Sequence, residues 1–190
     1  MASSLTDVFQ ALDQAFQKVS LRWYVFGAQA VAFYGAARFS ADVDVTLLPE
    51  NYPINDLVSA LQAEDFVMRV SDVERMVHQT RVVPVVHAPS RIPVDIVLGG
   101  AGLEEEFARN VQYHDLEDLK IPVANSADLI AMKIFSGRDK DLQDAEAVLQ
   151  AQRENVDMEA VRKTLKLLET ALDRSDLVLV LDKMLNMLKS

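Results

Sequence analysis

Three aspartates stand where an acid needs an explanation. Asp42 and Asp44 lie two apart in ADVDVTLL, a run that reads as a strand. Alternation sends their side chains off one face while Val43 and Val45 leave by the other. Asp95 is the only charge in IPVDIVLGG, whose neighbours Val94, Ile96, Val97 and Leu98 are those of a buried strand. Carboxylates set side by side repel, and burying them unpaired is costly, so such groups bind a cation, shift their pKa or stay solvated. Three oxygen donors in a chain without cysteine call for a hard divalent ion, Mg²⁺ or Mn²⁺, which typically binds through few carboxylates plus waters and substrate phosphates. The plainer alternative is that Asp-x-Asp marks the wet face of a half-solvated antiparallel strand.

Ahead of the pair, RWYVFG reads as a buried strand stopping at Gly27, and AQAVAFYGA as a short helix closed by Gly35. A turn entering a helix offers free backbone N–H groups and the positive end of the helix dipole, both suited to a triphosphate. Gly27 lets backbone and phosphate approach closely. Arg38 and Ser40 follow, just before Asp42. His78, His87 and His114 sit in separate segments without metal-ligand spacing and read as structural or surface residues. LGGAG, after Asp95, fits neither the dinucleotide nor the Walker pattern and reads as a turn ending a strand.

The elements that must position these residues follow from periodicity. Leu5, Val8, Phe9, Leu12 and Phe16 predict an amphipathic helix over about 4 to 18. After the Asp42–Asp44 strand, an NYP turn leads into a helix with Ile54, Leu57, Val58 and Leu61 on one side. Residues 66 to 70 read as a strand and 71 to 79 as a helical turn, and RVVPVVHA with RIPVDIVL as a hairpin around APSR. Beyond KIPVA, Ser126 is the expected N-cap of ADLIAMKIF, Gly137 interrupts, KDLQDAEAVLQAQ resumes the helix, and two helical patterns close the chain at about 157 to 172 and 175 to 188. The expected fold is α/β (α+β): a mixed, mostly antiparallel sheet of four or five strands flanked by helices, residues 1–125, and a helical region packed on it, residues 126–190.

Composition narrows the class. Of 190 residues, 50% are hydrophobic and 25% charged, the balance of a globular protein. Neither a secretory signal nor a run of apolar residues long enough for a membrane span is found, which predicts a cytoplasmic protein without a membrane partner. A net charge of -10 argues against binding nucleic acid through a broad positive surface. The acidity is uneven: acids outnumber Lys and Arg 13 to 5 from Glu50 to Asp118 but only 9 to 8 from Lys133 to Arg174, so a polyanion would meet the C-terminal third more readily.

GAQAVAFYGAARFSADVDV resembles the first motif of the polymerase-β-like nucleotidyltransferases, and VDIV the strand bearing their third carboxylate. Arg-x-Ser-x-Asp-x-Asp is similar to the small bacterial members of toxin and abortive-infection type. Their further helix, a lysine followed by a Lys-Asp pair, is matched by Lys133, Lys140, Asp141 and Asp144 in AMKIFSGRDKDLQDAEAV. The resemblance spans roughly residues 22 to 146 and implies transfer of a nucleoside monophosphate from an NTP to a hydroxyl acceptor. It implies Asp42 and Asp44 on Mg²⁺, Asp95 at a second metal position and beside the acceptor hydroxyl, Lys133 and Arg38 against phosphate charge, and Gly27, Ala28 and Ser40 on the nucleotide side. The chain departs from the pattern at Ala28, where the family turn carries Ser or Gly. The acceptor would be RNA (tRNA in the toxin-like branch), a protein or a small hydroxylated compound. A catalytically silent relative acting as an antitoxin-like or regulatory partner is the competing reading.

Overall fold

The fold is taken from a computed structural model that describes residues 4–36, 40–48 and 52–188. The chain divides into two compact units, Met1–Gln29 with Phe39–Ala124, and Ala30–Arg38 with Asn125–Ser190.

In the first unit α1 (Ser4–Lys18) turns Val8, Phe9, Leu12 and Phe16 fully inward, as their helical spacing requires. Trp23 packs on Phe9 and Phe16 with ring centroids 6.5 and 5.5 Å away, joining α1 to β1 (Arg22–Phe26). The chain continues through α2 (Gly27–Phe33), β2 (Val43–Leu48), α3 (Ile54–Gln62), β3 (Phe66–Met68), α4 (Val73–Thr80), β4 (Val82–His87), β5 (Ile92–Leu98), α5 (Leu103–Arg109), β6 (Gln112–Leu116) and β7 (Leu119–Val123). Among the described residues these strands form one sheet in the order β3-β4-β5-β2-β1-β7-β6. Four of its six pairings are antiparallel, while β2–β5 and β1–β7 are parallel.

The class is the one the sequence predicts, with seven strands rather than four or five. The additional pair is the β6–β7 hairpin. QYHDL lies at the sheet edge with Tyr113 exposed, so it carries no buried alternation to announce a strand. A second difference falls at the site: β2 starts at Val43, leaving Asp42 one residue outside the strand. Asp44 pairs with Phe26, the last residue of β1, and Asp42 would need a partner at position 28, where the chain is already helical.

The second unit holds α6 (Ser126–Ser136), α7 (Asp139–Ala151), α8 (Met158–Leu172) and α9 (Leu177–Met187) around Ile130, Ile134, Val148, Val161, Leu165 and Leu181. The N-cap of α6 is Asn125 rather than Ser126, its side chain accepting from the Asp128 N–H at 2.9 Å. Gly137 ends α6 in a left-handed conformation and α7 starts at once, so the two helices form a tight hairpin. Gln152, at the end of α7, donates to the Tyr34 carbonyl at 3.1 Å.

Candidate active site

The register of β2 on β5 builds the centre of the site. Val43 faces Val94, Val45 faces Ile96 and Leu47 faces Leu98, all buried, so the apolar pattern fixes the alignment. The same alignment sets Asp44 directly beside Asp95 on the opposite face. Two strands distant in sequence thus deliver two half-buried carboxylates to one place. Pro84 of β4 and Phe26 of β1 flank the pair and give each acid an apolar neighbour along the row.

Gly27 closes one side. Its φ is +70°, and a Cβ there would sit 2.8 Å from the Asp44 Cγ and 2.9 Å from its Cβ, as well as on a carboxylate oxygen. Only a residue without a side chain fits, for conformation and for space. Ala28, beside it, is almost wholly buried. Asp42 is exposed just before the strand; its carboxylate accepts from the Ser40 hydroxyl at 2.5 Å, and its carbonyl from the Gln29 side chain at 3.4 Å. Ser40 therefore braces an acid. Arg38 lies outside the described residues.

Arg69 is the residue that sequence reasoning missed. Its guanidinium forms an ion pair with Asp95, and its N–H donates to the Pro84 carbonyl at 2.9 Å, so the chain just past β3 reaches across β4 to the third carboxylate. Nothing in FVMRV signals this role, because the pairing of β3, β4 and β5 brings residues 69 and 95 together.

Lys133 belongs to the second unit. It is buried, and its ammonium donates to Asp141 at 2.8 Å and to Asp144 at 2.7 Å, the α6–α7 hairpin bringing all three together. Asp141 also accepts from the Ser136 hydroxyl at 2.7 Å and from Arg138. Burial pushes the Asp141 carboxyl up, but hydrogen bonds from Lys133, Ser136 and Arg138 and the Lys133 charge outweigh it, holding the carboxyl at about 2. Lys140 is exposed on the same helix. His87 is buried against Phe66 with Nδ1 2.9 Å from the Ser90 hydroxyl, and burial lowers its pKa against the charges of Asp65 and Asp7.

Among the described residues no three His, Asp or Glu side chains are arranged to hold an ion by themselves. Asp42 and Asp44 still match the needs of Mg²⁺, which takes one or two carboxylates and completes its shell with water and substrate phosphate. Arg69 is already on Asp95.

The profile of the family described as nucleotidyl transferase AbiEii toxin, type IV TA system, matches residues 10–186. The chain belongs to this family. AbiEii membership makes it a nucleotidyl transferase, and the silent-relative reading gives way to an enzyme. Solved structures share the AbiEii chain's fold. An antigenic nucleotidyltransferase-like protein from Paracoccidioides brasiliensis is 14% identical with a TM-score of 0.57, over 94% of this chain and 92% of that one. The antibiotic-resistance factor ANT(2'')-Ia is 9% identical with a TM-score of 0.56, over 87% and 91%. The lincosamide antibiotic adenylyltransferase LnuA, solved with lincomycin bound, is 13% identical with a TM-score of 0.52, over 75% and 94%. No curated protein matches the sequence significantly. Among the described residues no helix is long and apolar enough to cross a membrane.

Proposed function

We propose that the chain moves a nucleoside monophosphate from an NTP onto a hydroxyl acceptor, using Asp42, Asp44 and Asp95 with a divalent cation, Mg²⁺ or Mn²⁺. The observation that supports this reading most is the Asp44–Asp95 register pair on parallel strands, with Gly27 stripped of a side chain where Asp44 needs the room. Two acids set together suit a protein that brings a cation and a triphosphate to them.

Asp42 and Asp44 hold the cation, which when bound neutralises the triphosphate and polarises the α-phosphorus. The backbone N–H groups at Gly27 and Ala28 serve the phosphates, so the missing hydroxyl at position 28 is no obstacle. Asp95, oriented by Arg69, takes the proton of the acceptor hydroxyl. The acceptor oxygen then bonds to the α-phosphorus, the bond from that phosphorus to the bridging oxygen breaks, and pyrophosphate leaves with the electron pair. Lys133, buried on Asp141 and Asp144 in the second unit, holds the α6–α7 hairpin together. The family description supports a toxin acting with a partner antitoxin. The net charge of -10 weighs against a long RNA acceptor and towards a protein or a small hydroxylated compound.

The test is incubation with each α-labelled NTP and cell extract, comparing the native chain with Asp44→Asn. We expect label to enter one acceptor class and to fall at least about 100-fold in the variant, the loss typical of removing a group that stabilises transition-state charge. Label that persists in the variant would refute the site.

A further inference from the structure

The turn LGGAG is not used by the carboxylate site, yet it forms one wall of a cavity of about 820 Å³ in the same unit. That volume falls in the range of small-molecule sites, about 300–1,000 Å³. Leu48 and Leu98, which end β2 and β5, line it, whereas Asp44 and Asp95 lie earlier on those strands. At about 3.3 Å per residue the cavity is roughly 10–13 Å along the sheet from the carboxylates.

Arg81 anchors it. This residue caps α4 with φ +57°, and its side chain is locked onto the start of the turn: Nε and Nη2 donate to the Leu98 carbonyl at 2.8 and 2.6 Å, and Nη2 to the Gly99 carbonyl at 2.8 Å. Among the described residues Arg81 has no acidic partner and its Nη1 donates to nothing, which leaves two N–H groups on a guanidinium already fixed in place. Across the cavity, Glu105 is shared by Arg22, at 2.8 and 2.7 Å, and Arg109, at 3.1 Å, so two cations meet one acid. Among the charged residues that line the cavity, Arg81 and Arg109 outnumber Glu105, in a chain whose net charge is -10. Gly99 makes the wall tight, since a Cβ there would meet Leu48 at 2.8 Å and Thr46 at 3.0 Å. A side chain at Gly100 would start 3.5 Å from Arg81 Nη2 and cover the guanidinium.

We propose that this cavity is a second ligand site that takes a small molecule bearing a phosphate group. The phosphate sits on Arg81 Nη1 within reach of Arg109, and the remainder lies on Leu48, Val77 and Leu98. A phosphate monoester, close to a dianion at neutral pH, matches the surplus charge and the planar fork better than a monoanionic carboxylate does. The site is distinct from the carboxylates, so its occupancy does not depend on nucleotidyl transfer.

The probe is inorganic phosphate, titrated into the full chain while backbone amide resonances are followed. Saturating shifts at Arg81, Gly99 and Gly100 are expected, retained in Asp44→Asn and weakened at least tenfold in Arg81→Lys, which keeps the charge but loses the fork. Arg109→Gln, at an exposed position, is expected to weaken binding as well, and it decides the matter if circular dichroism shows Arg81→Lys to be unfolded. Shifts confined to Gly27 and Asp44, or an affinity unchanged in Arg109→Gln, would overturn the proposal.

Discussion

Gly27→Ala separates the two demands made of this glycine. The first is conformational: an L-residue held in the left-handed region costs about 1–2 kcal/mol. The second is spatial, because the new methyl would lie 2.8 Å from the Asp44 Cγ, well inside contact distance, and would force the carboxylate out of register with Asp95. Gly35 supplies the control. Its φ is +82°, but a Cβ there meets nothing within 4 Å, so Gly35→Ala carries the backbone cost alone. Losing glycine's unfolded-state freedom returns about 0.4–1 kcal/mol in both variants, leaving Gly35→Ala destabilised by about 1 kcal/mol. Adding the displaced acid, Gly27→Ala is expected to lose about 2–4 kcal/mol, within the range of strain and overpacking mutations. For a chain of this length that corresponds to roughly 2–4 °C in Tm for Gly35→Ala and roughly 4–16 °C for Gly27→Ala. Differential scanning calorimetry reads the stability, and label transfer from α-labelled NTP reads the site, where Gly27→Ala falls at least about 100-fold and Gly35→Ala stays near native. Equal melting temperatures for the two variants, with transfer intact in both, would refute the argument that Asp44 needs the space above Gly27.

Other outcomes follow from the same geometry. Arg69→Gln and Asp95→Asn should each lower kcat, and the double variant should be no worse than Asp95→Asn, with a coupling energy of about 1 kcal/mol or more; additive losses would show that Arg69 does not act through Asp95. Lys133→Met removes the buried ammonium that Asp141 and Asp144 share, while Asp141 keeps Arg138, and should cost about 3–5 kcal/mol in urea denaturation, much of it recovered when both acids are also made Asn. Asp141 is held at about 2 in the fold, below its ordinary 3.8, so the stability it contributes is present above pH 4 and lost as pH falls from about 4 to 2. The loss should be about 2 kcal/mol and absent in Asp141→Asn, read from urea curves at pH 5, 3 and 2.

The carboxylates were legible because each is a charge inside an apolar run, and the Gly27 turn because a strand and a helix meet there. Their mutual placement was not. Asp44 and Asp95 become neighbours through a parallel pairing that neither segment encodes locally, and Arg69 joins them only once β3, β4 and β5 are aligned. The start of β2 was misplaced by two residues, at Ala41 rather than Val43, because it depends on where β1 stops. The β6–β7 hairpin escaped notice because its outer strand is exposed and polar. Lys133, Asp141 and Asp144 were found through resemblance, whereas their burial against one another comes from a helical hairpin turning at Gly137, which periodicity marks only as an interruption.

The parallel β2–β5 contact also sets a clock on the protein's own synthesis. Asp44 and Asp95 stand about fifty positions apart, a separation that a ribosome covers in roughly 3–10 s at about 5–20 residues per second. Until β5 has emerged and found its place, the emerging polypeptide holds half of a carboxylate pair. Any binder that captures the first hundred residues before β5 docks would keep the pair apart.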